Sequence, residues 1–324
     1  MTSYREAGVD LDAADRHTTS IASSVTGTWK EDVIGGFGGF AAGVRVPAGY
    51  EDPILMMSTD GVGTKIEIAR ATGRWSGVGF DLVAMCVDDL AAAGARPIGF
   101  VDYLAVGSLN GERDREIVES VASACLQTGC PLLGGETAEH PGVMALDAVD
   151  LAGAALGIVE RDKVLTPDRV RAGDLIVGLI SPNLRSNGFS LVRSLYGDEV
   201  ADHADTLLEP SVIYSSAVLD AVSTGRVHSA AHITGGGLGA NLARALPDGL
   251  GATIDLSTWD RPTVFGDIAE RGVVEADMRR TFNLGIGFCL VIDPIGVESV
   301  LETTAQHDPR VIGSVVSGSQ VNLL

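Results

Sequence analysis

The chain has 324 residues with 43 acidic and 23 basic side chains, so its formal net charge at pH 7 is −20. This negative charge repels nucleic-acid phosphates and anionic membrane surfaces, which argues against nucleic-acid binding. No apolar run reaches the length of a membrane span, and residues 1–15 lack the apolar segment of a signal peptide. We therefore expect a soluble cytoplasmic protein. At this length, two domain-sized cores are favoured over one large core.

Cysteine-based metal or redox chemistry is not indicated. The four cysteines show no C-x-x-C spacing and have no histidine close by in sequence. They are Cys86, Cys125, Cys130 and Cys289. His140 and His232 lie beside glycine-rich segments, where a role in ligand binding and a structural role both remain open.

The first chemically informative segment is DGVGTK at residues 60–65, which follows an apolar run predicted to be a strand. Gly61 and Gly63 let the backbone approach a phosphate, Lys65 supplies a positive charge, and Asp60 can hold a hard cation. This combination favours a nucleoside triphosphate with Mg²⁺. The spacing is not that of a P-loop, and a glycine-rich turn with a solvated lysine explains the same residues.

The rest of the first half is predicted as alternating helices and strands. A helix at 81–96, capped by Asp81, carries Asp88 and Asp89. A strand at 98–106 contains Asp102, and a helix at 112–128 ends at Gly129. Further strands are predicted at 131–135 and 149–159, and the charged segment 161–173 is the predicted domain boundary.

The second half begins with a predicted strand at 175–180 and a helix at 189–195. A strand at 228–234 then leads into GGGLGA at 235–240 and a helix starting near Asn241. This pattern matches G-x-G-x-x-A of dinucleotide-binding folds, but its strand is short and does not open a βαβαβ unit. A tight strand-to-helix turn is the favoured interpretation.

Three carboxylates are candidates for Mg²⁺, which needs several oxygen ligands from different elements. Asp60 lies at a strand end, Asp89 lies on an otherwise apolar helix, and Glu136 follows Gly134-Gly135. Each of them alone is more often a solvated surface residue. Glu136 and Glu139 would also suit the N-terminal turn of a helix.

Eight motifs follow one another along almost the whole chain. They are YREAGVD (4–10), GGFGGF (35–40), TDGVGTK (59–65), DLVAMCV (81–87), GGETAE (134–139), SNGFSLVR (186–193), TGGG (234–237) and TFN (281–283). In this order they resemble the phosphoribosylformylglycinamidine cyclo-ligase family, also called AIR synthetase. The resemblance overrides the dinucleotide-binding interpretation of residues 235–240.

The resemblance implies an α+β protein of two AIR-synthetase-like domains, residues 1–165 and 166–324, the second of α/β type. In the family, N-terminal strands of two subunits form a shared barrel, so a homodimer is expected. The implied reaction of purine biosynthesis is the ATP-dependent closure of formylglycinamidine ribonucleotide to 5-aminoimidazole ribonucleotide, with release of ADP and phosphate. ATP, Mg²⁺ and small-molecule substrates are the implied ligands, bound in a cleft beside the barrel.

On this resemblance, Asp60, Asp89 and Glu136 are expected to bind Mg²⁺, and Lys65 is expected to neutralise phosphates during catalysis. Asp102 is a candidate proton acceptor or supporting carboxylate, although a hydrogen-bonded strand aspartate is an equal interpretation. The candidates for nucleotide contacts are Gly36, Gly38, Gly39, Gly61, Gly63 and Thr64. The candidates for substrate contacts are Glu136, Thr137, Ser186 and Asn187, and turn formation also explains the glycine and serine positions.

Three positions depart from the usual family pattern. Arg185 stands where the family usually has histidine, which makes a proton shuttle there doubtful because arginine does not deprotonate at neutral pH. Asp88 stands where asparagine is usual, and Ala22 where lysine is frequent. The extra negative charge at Asp88 and the missing positive charge at Ala22 are expected to weaken nucleotide binding.

Two other functions remain open. One is another ATP-using enzyme of the same superfamily, such as a thiamine-monophosphate kinase, a selenophosphate synthetase or a hydrogenase-maturation dehydratase. The other is a non-catalytic nucleotide-binding paralogue. Lys65 and the three carboxylates argue against the paralogue, whereas the three departures keep it open.

Overall fold

A computed structural model of the chain describes residues 8–324, so residues 4–7 of the first motif lie outside it. The elements of the first half are α1 (Leu11–Thr26), β1 (Val33–Ile34), β2 (Gly43–Val44), β3 (Pro53–Gly61), α2 (Ile66–Thr72), α3 (Val78–Ala92), β4 (Arg96–Val106), α4 (Gly111–Thr128), β5 (Leu132–Glu139) and β6 (Val149–Glu160). The elements of the second half are β7 (Leu175–Ile180), α5 (Phe189–Tyr196), α6 (Ala204–Leu207), α7 (Ser215–Ser223), β8 (Val227–His232), α8 (Gly237–Arg244), β9 (Leu250–Ile254), α9 (Thr263–Glu270), α10 (Glu275–Thr281), β10 (Ile286–Ile292), α11 (Val297–Thr303), β11 (Arg310–Ser317) and β12 (Val321–Leu323).

Each half is built around its own mixed sheet. The first sheet has the strand order β3-β6-β4-β5, and the second has the order β12-β9-β11-β7-β10-β8. Only β4–β5 in the first sheet and β12–β9 in the second are parallel neighbours. The expected α/β character of the second domain is therefore wrong, because a largely antiparallel sheet makes this half α+β. The predicted boundary at residues 165 and 166 falls between the sheets and stays a prediction.

Helix α3 is the central element between the two halves. Most of its residues are buried, among them Asp81 and Asp88, and it packs on the first sheet, on α4 and on α7. A Cβ atom at Gly79 would lie 2.1 Å from the backbone nitrogen of Val121, so this glycine allows α3 and α4 to pack closely. The helix begins at Val78 after Gly77, and the predicted N-cap at Asp81 is wrong. The Asp81 side chain instead forms a buried ion pair.

The other face of the first sheet is apolar and open to solvent. Leu55 and Met57 on β3 are 55% and 75% exposed, and Val101 and Tyr103 on β4 are 43% and 42% exposed. Within the described part of one chain, β3 and β5 are the two edges of this sheet, which does not close into a barrel. Among residues 8–324, no helix is both long and apolar enough to cross a membrane.

Candidate functional site

The first cavity, called here the glycine-loop pocket, has a volume of about 440 Å³. It lies between α1, the loop at residues 36–42 and the strands β4 and β5. Six of the sequence-predicted site residues line it together. They are Gly36, Gly38, Gly39, Asp102, Glu136 and Thr137.

The glycine loop has the backbone properties expected of a phosphate-binding loop. Gly38 has φ +80°, a conformation that favours glycine, and no atom lies within 4 Å of a Cβ built at Gly36 or Gly38. The loop backbone is therefore accessible from the pocket. Accessible backbone N–H groups can surround an anionic group, so the loop fits the chemistry inferred for it.

Asp102 supplies a buried carboxyl group at the wall of this pocket. Burial raises its pKa to about 7, against a small opposing contribution from its own backbone. A Cβ atom at Gly135 would lie 1.9 Å from the Asp102 Oδ1 atom, so the carboxyl group occupies space that only glycine leaves free. This contact gives a structural reason for Gly135 in the GGETAE motif.

We predict that Gly135→Ala lowers the free energy of unfolding by about 1–3 kcal/mol, because it forces Asp102 or the backbone of β5 to move. The matched control is Gly134→Ala, since a Cβ atom there meets no atom within 4 Å. Denaturant unfolding of both variants checks the prediction. Equal stability of the two variants would contradict it.

His17 completes the glycine-loop pocket and was missed by sequence reasoning. Its Nε2 atom shares a 3.1 Å hydrogen bond with the Thr137 hydroxyl group, and its buried Nδ1 atom has no partner among the described residues. Burial lowers its pKa, with a smaller opposing effect of Asp114, so the neutral ring is favoured at neutral pH. No motif surrounds His17, and the packing of α1 on α4 and β5 brings it to the site.

The second cavity, called here the interdomain cleft, has a volume of about 370 Å³ and lies between β3 and α3 on one side and β8 and α8 on the other. Asp89 accepts hydrogen bonds from Ser58 (3.3 Å) and shares one of 2.9 Å with His232 Nδ1. Burial raises the pKa of Asp89, but these bonds and the charge of His232 outweigh it and lower the pKa overall. Asp89 is therefore an anion. Arg244 adds a cation to the same cleft.

Asp60 lies on the same strand as Ser58, the residue that donates to Asp89. It is exposed at the end of β3, where one carboxylate oxygen accepts the N–H of Gly61 at 2.7 Å. The pKa of Cys86 is raised to about 12, chiefly by burial and further by the charges of Asp60 and Asp89. The two carboxylates therefore flank the same side chain of α3. Their oxygen atoms suit Mg²⁺, which prefers hard ligands.

Glu136 does not join these two carboxylates within one chain. Across the first sheet, Asp60 is paired with Gly153, Gly153 with Asp102, and Asp102 with Gly135. Three strand spacings separate Asp60 from Gly135, about 14 Å in all. Among residues 8–324, no three acidic, cysteine or histidine side chains form a metal-binding group. The expected convergence of the three carboxylates is therefore wrong for the single chain.

Lys65 lies in a different environment from the one expected. Its side chain is 1% exposed, and its Nζ atom is 2.9 Å from Asp81 and donates to the carbonyl oxygens of Arg185 (3.1 Å) and Glu209 (2.8 Å). The ring of Phe189 lies 5.3 Å from the same nitrogen. All these partners hold Lys65 inside the protein, so the expected contact with phosphate is not available in this structure. The turn after β3 directs the side chain beneath α3 rather than toward a pocket.

The other residues of DGVGTK lie at the junction of the two halves. Gly63 has φ +68°, which a turn of this shape requires. The Thr64 hydroxyl group shares a 3.1 Å hydrogen bond with Ser190 on α5. Gly61 and Thr64 therefore do not line the glycine-loop pocket with Gly36 and Gly38.

Ser186 and Asn187 lie against α3, apart from Glu136 and Thr137. The Asn187 side chain is 3.8 Å from the sulfur of Met85, and its Oδ1 atom is 3.7 Å from a Cβ built at Gly235. The Ser186 hydroxyl group is buried without a partner among the described residues. The four predicted substrate contacts are thus divided between two places.

Both halves of the chain match family models. The model described as AIR synthase related protein, N-terminal domain, matches residues 39–159, and the model described as AIR synthase related protein, C-terminal domain, matches residues 171–324. The chain is thus a two-domain protein of the AIR synthase class.

Relatives narrow this class further. The chain is 43% identical to phosphoribosylformylglycinamidine cyclo-ligase of Synechococcus sp. (strain CC9605), over 98% of this chain and 97% of the relative. It is 45% identical to the protein of the same name from Sorangium cellulosum (strain So ce56), over 98% and 96% of the two chains. The chain belongs to the phosphoribosylformylglycinamidine cyclo-ligase family.

Solved structures share the fold at lower identity. The hydrogenase maturation protein HypE in complex with ATP aligns with a TM-score of 0.70 and 19% identity, over 98% of this chain and 92% of its own. Thiamine-monophosphate kinase from Stenotrophomonas maltophilia K279a aligns with a TM-score of 0.66 and 20% identity, over 98% and 96%. At these identities the likeness shows the fold alone.

Proposed function

We propose that this protein closes formylglycinamidine ribonucleotide to 5-aminoimidazole ribonucleotide at the expense of ATP, in the cytoplasm. The observation that carries the proposal is its 43–45% identity, over nearly the whole chain, to proteins named phosphoribosylformylglycinamidine cyclo-ligase. The superfamily kinases are supported only by a shared fold at about 20% identity. No feature of the described residues favours a non-catalytic paralogue.

The chemistry requires activation of a poor electrophile. Transfer of the γ-phosphoryl group of ATP to the formyl oxygen converts that oxygen into a leaving group and releases ADP. The amidine nitrogen then attacks the activated carbon, loses a proton and closes the ring, and phosphate leaves with the former formyl oxygen. Phosphoryl transfer depends on positioning and charge neutralisation more than on covalent help from the protein.

The residues of the glycine-loop pocket, together with Asp60 and Asp89, fit the phosphoryl-transfer side of this reaction. The backbone around Gly36, Gly38 and Gly39 would hold the phosphates of ATP. Asp60, Asp89 and Glu136 would hold Mg²⁺, because all three offer hard oxygen ligands, and Glu136 has no partner among the described residues. When bound, the metal ion would neutralise the negative charge of the transferred group.

Asp102 is the best placed proton acceptor of the described residues. A pKa of about 7 keeps part of the carboxyl group in its basic form at neutral pH, and such a group can accept a proton readily. Asp102 would therefore accept the proton of the attacking nitrogen. Ser186 and Asn187 would contact the ribonucleotide from the C-terminal half, where the buried Ser186 hydroxyl group lacks a partner.

An isotope experiment tests this mechanism. Substrate labelled with ¹⁸O in the formyl group should give inorganic phosphate that carries one labelled oxygen, because that oxygen leaves with phosphate. The 5-aminoimidazole ribonucleotide should carry no label. Unlabelled phosphate together with a phosphorylated organic product would indicate a kinase and refute the proposal.

We further propose that the protein is a homodimer whose two open sheets form one barrel. Leu55, Met57, Val101 and Tyr103 form an exposed apolar face that a second copy would cover. If edge strand β5 of one protomer lies against β3 of its partner, Glu136 of the partner subunit lies on the strand next to Asp60. The two strands would then be one strand spacing apart, whereas three spacings, about 14 Å, separate them within one chain.

Mixed dimers test this arrangement. Asp60→Asn and Glu136→Gln should each inactivate the enzyme. When equal amounts are dissociated and reassociated, half of the dimers are mixed, and each mixed dimer has one intact site. We predict recovery of about one quarter of wild-type activity. Mixing Asp60→Asn with Asp89→Asn is the control and should give no recovery, because both residues come from the same protomer. If neither mixture recovers activity, Glu136 of one protomer does not act in the same site as Asp60 of the other.

A further inference from the structure

Arg185 is a fully buried cation in the loop between β7 and α5. Its Nη2 atom is 2.6 Å from Asp88 Oδ2 and donates to the carbonyl oxygen of Val212 at 3.0 Å. Its Nη1 atom donates to the carbonyl oxygen of Gly287 at 3.2 Å. The guanidinium group also lies 5.0 Å from the ring centre of Tyr214. Arg185 and Asp88 are both 0% exposed. Water therefore stabilises neither charge, and each depends on the other.

The backbone at Arg185 is held as firmly as its side chain. Arg185 has φ +58°, which is uncommon for a residue with a Cβ atom, and its N–H donates to Asn183 Oδ1 at 2.9 Å. Its carbonyl oxygen accepts from Lys65 Nζ at 3.1 Å. A loop in such a conformation needs surrounding contacts to keep it in place, and the ion pair with Asp88 is one of them.

This ion pair joins the two halves of the candidate site. Asp88 precedes Asp89, a candidate Mg²⁺ ligand on α3, and its Oδ1 atom accepts the N–H of Tyr214 at 2.9 Å. Arg185 precedes Ser186 and Asn187, the candidate contacts for the ribonucleotide. The pair thus connects the metal-binding helix of the first half directly to the substrate loop of the second half.

Arg185 and Asp88 are also two of the three departures from the family pattern. The structure makes them partners in one bond, although 97 positions separate them in sequence. Without Arg185, Asp88 would keep only the Tyr214 N–H and His232 Nε2, which lies 3.9 Å from its Oδ2 atom. Without Asp88, Arg185 would be a buried cation beside carbonyl oxygens only, and such a loss of one partner is strongly destabilising.

We infer that Arg185 and Asp88 form a single positioning unit, an interdomain lock that holds the loop at residues 182–188 against α3. This inference deepens the proposed function and rests on it. Neither residue transfers a proton. The lock fixes Ser186 and Asn187 relative to Asp89, so that the ribonucleotide meets the transferred phosphoryl group in the productive geometry.

A double-mutant cycle tests the lock with the full-length protein. Arg185→His and Asp88→Asn each leave one buried charge unpaired, whereas the double variant removes both at pH 8. We expect each single change to lower kcat by about tenfold or more, since small misplacements of reacting groups are costly. The double variant should return to within about threefold of wild type, because coupled residues are not additive. The dissociation constant for ATP alone should change less than about twofold, since neither residue lines the glycine-loop pocket.

Asp174→Asn is the matched control. Asp174 is also a buried carboxylate paired with a basic side chain, His228, at 2.8 Å, but it lies outside both cavities. We expect this variant to unfold at a lower temperature with unchanged kcat. A loss of kcat equal to that of the single lock variants would show that destabilisation alone explains their defect and would overturn the inference.

The remaining outcomes are also decisive. If the double variant loses as much activity as the two single changes combined, the residues do not act as a unit. If Arg185→His keeps wild-type kcat, the lock does not position the substrate. If the wild-type protein forms no 5-aminoimidazole ribonucleotide, the proposed function is overturned. The positioning role that rests on that function is then overturned as well. If wild type forms the product and the single variants keep its kcat, only the interdomain lock is overturned.

Discussion

Replacing Lys65 with methionine is expected to lower the free energy of unfolding by about 3–5 kcal/mol, because it leaves the buried carboxylate of Asp81 without its cation. Methionine fills most of the space of the lysine stem but cannot donate to Asp81 or to the carbonyl oxygens of Arg185 and Glu209. Asp81 would keep only the N–H and hydroxyl groups of Ser211, at 3.0 and 2.6 Å. Denaturant unfolding without nucleotide measures this loss.

The control for Lys65 is the same substitution at Lys163, which is exposed and should leave stability nearly unchanged. The expected pattern distinguishes an internal ion pair from a phosphate contact. If Lys65 instead bound phosphate, Lys65→Met would lose affinity for ATP but keep the wild-type free energy of unfolding. An unchanged free energy of unfolding in Lys65→Met, together with lost ATP binding, would contradict the structural account.

Asp102→Asn is expected to stabilise the protein at pH 8 and to have little effect near pH 4. Burial raises the pKa of Asp102 from 3.8 to about 7 in the folded protein. The folded protein therefore keeps this proton between pH 4 and 7 while the unfolded chain releases it, and stability falls as the pH rises. The loss amounts to about 4 kcal/mol by pH 8. Asparagine has nearly the same shape and no charge, so it avoids this loss.

The pH dependence of unfolding measures this effect. We expect wild type and Asp102→Asn to differ progressively more as the pH rises from 4 to 8, while the exposed control Asp248→Asn follows wild type. Parallel curves for wild type and Asp102→Asn would show that Asp102 does not titrate near neutral pH. The variant should also lose activity if Asp102 accepts the proton of the attacking nitrogen.

Local sequence patterns predicted much of the fold. The strand at 175–180 has the predicted bounds, and the helix predicted at 112–128 spans Gly111–Thr128. Gly129 ends that helix with φ +67°, the left-handed conformation that such a helix end favours. Periodicity and glycine position are local properties, so these predictions needed no tertiary information.

Predictions that depended on tertiary packing were less successful. Asp81 was predicted to cap α3, and Lys65 was predicted to contact phosphate, whereas the two residues pair with each other inside the protein. Glu136 and Glu139 lie on the strand β5, so the alternative of an N-terminal helix turn is wrong for both. A sequence pattern shows which residues carry charge but not which residues lie opposite them after folding.

The two cavities show the same limit. Glycine motifs predicted the loop at residues 36–39, but no local signal identified His17, and His232 was only one of two histidines left open. The sequence treats Arg185, as a residue unable to shuttle a proton, and Asp88, as an added negative charge, separately, and the structure shows them bonded. Such a pair is visible only when both residues can be placed in three dimensions.

A coupled assay of ADP and 5-aminoimidazole ribonucleotide, with purified protein, Mg²⁺-ATP and formylglycinamidine ribonucleotide, distinguishes a cyclo-ligase from the other proposed functions. A cyclo-ligase releases ADP only when the ribonucleotide is present and forms one molecule of 5-aminoimidazole ribonucleotide per ADP. Asp60→Asn should abolish both products. Release of ADP without the imidazole product, or equal ADP release in the absence of the ribonucleotide, would contradict the assignment of a cyclo-ligase.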